Sequence, residues 1–280
     1  MVAHDLACTP GGPRLFQTSA CAAGNCPWRQ AWTGLPVLHI IAGMTFRERL
    51  LATLRAIAPV LTQPGVVVIG SEVPNLLEED AASTLVVSQD VDIGIEIEHL
   101  REVKAALASV QGLEPSAEEP SVWVPHSDDL IEVNFLGIDR KLTDPAASYV
   151  FEDAELPLMV FGPLTWMLPG DIITAEGLRI PVAKRSGLIV EKLITERSGV
   201  KGDRDLLVVL GLLTHATAAD VDEVIEAYTR LAPDLRHWVR SNLTLLSLIE
   251  PHANMPDPAN FRDQIAALLA RLEQRDEGEP

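Results

Sequence analysis

The chain has 280 residues, 47% of them hydrophobic and 22% charged, which excludes wholesale disorder and leaves room for one large domain or two smaller ones. Lys and Arg total 22 against 40 Asp and Glu, a net charge of −18. A field of that sign repels nucleic acid and anionic membranes alike unless a basic patch overcomes it. No run approaches the ~18 apolar residues of a membrane span, so a cytoplasmic protein with no membrane partner is expected.

Residues 1–43 hold all three cysteines, Cys8, Cys21 and Cys26. Their spacing, even with His4 and His39 nearby, matches no zinc-ligand pattern. The stretch also lacks the basic start and apolar segment of a signal peptide. It reads as a poorly ordered leader, either an extension or a mistaken start. The fold itself is expected to begin at Met44, because Thr45-Phe46-Arg47-Glu48 is a capping box. Behind it Phe46, Leu50, Leu54, Ile57 and Leu61 keep a helical stripe.

Gly65 to Ile69 is a short apolar run, as expected of a buried strand, and ends at Gly70-Ser71. Pro74 to Ala82 reads as a short helix or loop. Asp90 to Ile97 alternates cleanly, with Val91, Ile93, Ile95 and Ile97 on one side and Asp90, Asp92, Gly94 and Glu96 on the other. A helix follows from about His99 to Val110. Ser121 to Val124 and Leu130 to Leu136 form a predicted hairpin, and further strands are expected at Leu158 to Phe161 and on both sides of Glu176-Gly177. From Gly187 onward the pattern is helical, with Thr217 as a cap, Pro233 in a first turn and a last helix starting at Asp257-Pro258. The fold class is α+β: a mixed sheet with flanking helices, followed by a C-terminal helical bundle. The expected divisions are 1–43 leader, 44–182 core, 183–274 helical domain and 275–280 flexible tail.

Three features carry chemistry. Asp90 and Asp92 stand two residues apart on a strand, so both carboxylates leave the same face. Their mutual repulsion is relieved by a divalent cation, although a solvated strand face gives the same alternation. Gly70-Ser71, placed after a buried strand, offers backbone amides and a hydroxyl to a phosphate, or makes an ordinary turn. Glu132 faces the polar side of its strand with Leu130 and Asn134, opposite Ile131, Val133 and Phe135, where it could complete a three-carboxylate metal site.

In this order, Gly70-Ser71, Asp90-Val91-Asp92 and Glu132 resemble the nucleotidyltransferase fold of the DNA polymerase β superfamily. The stretch from Gly187 through Lys192 to Arg204-Asp205-Leu206 looks like the AbiEii-type nucleotidyltransferases, the toxin components of type IV toxin–antitoxin systems. The resemblance covers roughly Met44 to Leu213 and implies Mg²⁺ or Mn²⁺ held by Asp90, Asp92 and Glu132, with an NTP as substrate. By position, Gly70, Ser71, Lys192 and Asp205 take nucleotide-binding roles. The implied acceptor is a tRNA 3′ end or a protein hydroxyl, with a cognate antitoxin as partner. Two departures stand out: the gap from Ser71 to Asp90 is long, and the third acid is Glu where Asp is common.

Lys192 could instead make a surface pair with Glu196. The segment Lys184 to Arg204 carries six basic residues, Lys184, Arg185, Lys192, Arg197, Lys201 and Arg204. These either meet a triphosphate or RNA end or form ion pairs among themselves. The acid excess of the whole chain favours another enzyme reading, transfer to a cationic small molecule such as an aminoglycoside. A non-catalytic, nucleotide-binding member of the fold is the remaining alternative.

Overall fold

The computed structural model describes residues 44–77, 90–194, 200–249 and 258–277. The leader, the C-terminal half of the Pro74 to Ala82 segment and the stretch around Arg197 lie outside them. The chain enters through helix α1 (Phe46–Ala56), and the expected capping box is in place. The Thr45 hydroxyl accepts from the Glu48 N–H at 3.2 Å, and Glu48 Oε2 accepts from the Thr45 N–H at 2.6 Å. These two bonds satisfy donors that a helix start otherwise leaves open.

A short helix α2 (Ala58–Leu61) leads to β1 (Val66–Ile69), whose four residues are all buried. Helix α3 (Val73–Leu77) comes next, then β2 (Asp90–Glu96), a single turn at Ile97–His99 and α4 (Leu100–Leu107). The strands β3 (Leu113–Pro115), β4 (Val122–Pro125) and β5 (Glu132–Ile138) form the predicted hairpin region. Two more hairpins follow, β6 (Ser148–Phe151) with β7 (Leu158–Phe161), and β8 (Asp171–Ala175) with β9 (Leu178–Val182). Beyond them the chain is helical: α5 (Arg185–Leu193), α6 (Val200–Thr214), α7 (Ala218–Thr229), α8 (Pro233–Leu248) and α9 (Arg262–Glu277). The architecture is therefore a mixed sheet with flanking helices and a C-terminal helical region. Strands give way to helices between β9 and α5.

The sheet runs β3-β4-β5-β2-β1-β9-β8, with β7 on β5 and β6 on β7. β2 is antiparallel to β1 and parallel to β5. Strands β4 and β7 share one edge of β5: β4 pairs at Val133 and Asn134, β7 at Leu136 and Gly137. One face is the core. Val91, Ile93 and Ile95 of β2 and Val133 and Phe135 of β5 are buried there. α4 packs against β2, and the Thr53 hydroxyl of α1 accepts from the buried Ile131 N–H at 2.9 Å. Period-2 alternation sends the neighbouring residues to the other face, and those are Asp90, Asp92, Glu132 and Asn134.

The helical region packs against the sheet side through α5. The Lys184 N–H donates to the Met167 carbonyl at 2.9 Å, and a Cβ on Gly187 would fall 2.1 Å from the Trp166 carbonyl oxygen. Only glycine permits that approach. Among the described residues no helix is long and apolar enough to cross a membrane.

Candidate active site

Parallel pairing of β2 with β5 sets Asp90 opposite Glu132 and Asp92 opposite Asn134. Four polar side chains thus share one open sheet face, each half-buried. Asn134 Nδ2 donates to Asp90 Oδ2 at 2.8 Å and to Asp92 Oδ1 at 3.2 Å. Burial pushes the Asp92 carboxyl above its ordinary range and the charge of Asp90 adds to this; the Asn134 bond and Lys192 pull it back, while Glu191 pushes it up. Glu132 is also raised, by burial first, then by Asp90 and Glu119. Desolvation and like charge thus act together on carboxyls of this face, as they do at sites built for chemistry.

On one side of the pair lies the end of β1. Gly70 has φ +94°, and a Cβ there would meet Asp92 Oδ2 at 2.6 Å and Glu72 Oε2 at 3.0 Å. Glycine at that position is what lets the loop close over Asp92. Ser71 is buried, and so is Glu72 at 1% exposure. On the same side α5 presents Lys192, whose Nζ is 3.3 Å from Asp205 Oδ1 on α6 and 3.4 Å from Glu191 Oε2. Asp205 is buried at 2% exposure, a depth at which a carboxylate needs a charged partner. The structure therefore brings Gly70 against Asp92 and puts Lys192 within electrostatic reach of it, with Asp205 holding Lys192, though the three come from separate elements.

On the other side, where β5 changes partner from β4 to β7, there is a cleft of about 320 Å³. Asp92, Glu132, Asn134 and Glu119 line it with apolar Val122 and Met159, and among the described residues no Lys or Arg contributes to its wall. Met159 and Phe161 continue the apolar surface as exposed side chains of β7.

Sequence reasoning did not find two residues of this site. Glu72 follows Gly70-Ser71, but nothing local marks it as buried beside Asp92. Asn134 was legible on the polar face; its bridging position depends on strand register. The basic stretch from Lys184 to Arg204 is corrected in part. Lys184 pairs with Glu223 at 2.9 Å and Arg185 with Asp220 at 2.6 Å, both acids of α7. These two cations are thus neutralised across helices and present no open basic patch. The Glu196 alternative for Lys192 lies outside the described residues.

No family model matches this chain, and no curated protein matches it. Solved structures similar to it include a candidate nucleotidyltransferase from H. pylori, at 17% identity, 82% of this chain, 96% of that chain and a TM-score of 0.33. An antigenic nucleotidyltransferase-like protein from Paracoccidioides brasiliensis is similar at 13% identity, over 79% of this chain and 93% of that one, with a TM-score of 0.41. JHP933 from Helicobacter pylori is similar at 16% identity, over 81% and 92%, with a TM-score of 0.31.

The side chains themselves test whether a cation fits. Among the described residues no three of His, Cys, Asp and Glu converge closely enough to form a metal cage. Asp90 and Asp92 do offer two hard oxygen donors, mutually repelling and bridged by the Asn134 amide. That suits Mg²⁺, which is commonly held by one or two carboxylates, with substrate phosphates and water completing the shell.

Proposed function

We propose that this chain is a nucleotidyltransferase of the DNA polymerase β type, moving NMP from an NTP to an acceptor hydroxyl. The observation that carries the reading is the aspartate pair, with Asp92 raised by burial and by the charge of Asp90, beside a glycine-serine turn, a half-buried lysine and an open cleft. Asp90 and Asp92 would hold Mg²⁺ or Mn²⁺, with Glu132 beside them. The cation would supply neutralising charge for the triphosphate and lower the pKa of the acceptor hydroxyl.

The Gly70 backbone, the Ser71 hydroxyl and the Lys192 ammonium grip the β- and γ-phosphates. Asp205 fixes where Lys192 points. The acceptor oxygen bonds to the α-phosphorus as the bond from that phosphorus to the bridging β-oxygen breaks. Pyrophosphate departs with the electron pair, and the acceptor proton passes to Glu132, whose raised pKa suits a general base.

The resemblance to AbiEii-type toxins points to a tRNA 3′ end or a protein hydroxyl as acceptor, with an antitoxin restraining the activity. A second acceptor class is favoured by the cleft, whose wall carries, among the described residues, acids and apolar groups without a cation. That lining suits a cationic small molecule of the aminoglycoside kind.

The test is incubation of the full chain with each α-labelled NTP and Mg²⁺, offering total tRNA, cell protein and an aminoglycoside in separate reactions. Label in tRNA or protein supports the toxin reading, and label in the aminoglycoside supports the second. Tight nucleotide binding with no labelled product from any acceptor would leave the non-catalytic alternative.

A further inference from the structure

Asn134 is the residue that meets both aspartates. It stands opposite Asp92 in the β2–β5 register, and its Nδ2 lies 2.8 Å from Asp90 Oδ2 and 3.2 Å from Asp92 Oδ1. An ionised carboxylate only accepts hydrogen bonds, whereas an amide nitrogen carries two hydrogens. The chemistry therefore fixes which end of the amide faces the pair. Its two hydrogens serve one carboxylate each, which is how a neutral group eases repulsion between two like charges without removing either.

We propose that Asn134 is the positioning residue of the aspartate pair: in the cation-free protein its amide stands in for the metal and keeps both carboxylates aimed at one point. This rests on the reading of Asp90 and Asp92 as cation ligands. It adds that β5 supplies a neutral stand-in that the ion must displace.

The amide and the cation then compete for the same carboxylate oxygens, and the competition has a characteristic sign. Removing the amide costs the cation-free protein more than the cation-bound one. By linkage, the cation must then bind the variant more tightly. A side chain that only filled space would loosen the site when cut back, or leave cation affinity unchanged.

The experiment titrates Mn²⁺ into the full chain, without nucleotide or acceptor, and reads free Mn²⁺ by electron paramagnetic resonance. Asn134→Ala is expected to bind Mn²⁺ about three- to tenfold more tightly than the unsubstituted chain, the range set by losing one or two modest hydrogen bonds. Its melting temperature falls in EDTA, and most of the loss is recovered in saturating Mn²⁺. Folding of the variant only when Mn²⁺ is present supports the proposal in the same way.

Should Asn134→Ala fold in neither condition, Asn134→Ser is titrated instead with the same expectation. Unchanged or weaker Mn²⁺ affinity, or equal melting loss with and without Mn²⁺, overturns the role of Asn134 and leaves the transferase reading standing. Failure of the unsubstituted chain to bind Mn²⁺ without nucleotide overturns the role of Asn134, and the labelling reactions decide the transferase reading separately.

Discussion

In the helical region Asp220 and Glu223 are held below the ordinary carboxylate range, whereas on the open face of the sheet Asp92 and Glu132 are held above it. Burial pushes Asp220 up, but the Thr217 N–H and hydroxyl and the Arg185 guanidinium outweigh it. Lys184 holds Glu223 down against burial, and the Ser186 hydroxyl adds to this at 2.8 Å. These acids tie the starts of α5 and α7 together and are saturated with donors. The sheet acids face one another, with one amide between two of them. The contrast separates carboxylates that stabilise the fold from carboxylates kept at a cost, as the proposed site requires.

The largest effect expected from breaking that contrast is at Asp92. Asp92→Asn removes a cation ligand worth several kcal/mol of transition-state stabilisation, so labelling falls about 10³-fold or more. Stability moves the other way. A carboxyl whose folded pKa is raised carries its penalty above that raised value and sheds it as the pH falls through it. At neutral pH and in EDTA, calorimetry of Asp92→Asn should therefore show an unchanged or higher melting temperature.

Next in size is Glu132→Gln, with kcat expected to fall about 10²-fold, the lower end of what a general base supplies. The unsubstituted enzyme should lose rate as the pH drops below the raised pKa of Glu132, and a pH–rate profile of the variant should lack that limb.

Lys192→Met sharpens the comparison, because Lys192 serves both purposes at once. It should raise the KM for NTP about tenfold or more, for one lost charge-assisted phosphate contact. The melting temperature should fall as well, since Asp205 is left buried beside a neutral side chain.

The smallest effect belongs to the helical region. Thr217→Ala removes a cap worth about 1 kcal/mol, or roughly 2–4 °C in a chain of this size, with labelling unaltered. The lowered pKa of Asp220 also fixes a sign. Its stabilisation is present above its ordinary value and lost as the pH falls through the lowered one. Asp220→Asn should accordingly flatten the acid limb of melting temperature against pH.

What was legible in the sequence follows the range of the interactions. The capping box at Thr45 and the cap at Thr217 are complete within four residues, and both are present as read, the second as a box closed by Asp220. The alternation that sends Val91, Ile93 and Ile95 inward and Asp90 and Asp92 outward is a property of one strand. Both placements needed no partner.

The bridging role of Asn134 needed the register of two strands 44 residues apart, which period-2 patterning leaves open. Arg185 meets Asp220 across 35 residues, so counting charges between Lys184 and Arg204 could not see the acid that neutralises it. Lys192 and Asp205 were placed together only by resemblance to a motif, because their contact spans two helices.

The central claim is that the α-phosphorus, and not the γ-phosphorus, is transferred. Parallel reactions with α-labelled and γ-labelled NTP, Mg²⁺ and the responsive acceptor test it directly. The expected result is acceptor labelled only from the α-position, with the γ-label recovered in pyrophosphate and both lost in Asp90→Ala/Asp92→Ala. Acceptor labelled from the γ-position, or α-labelling that survives the double substitution, would contradict it.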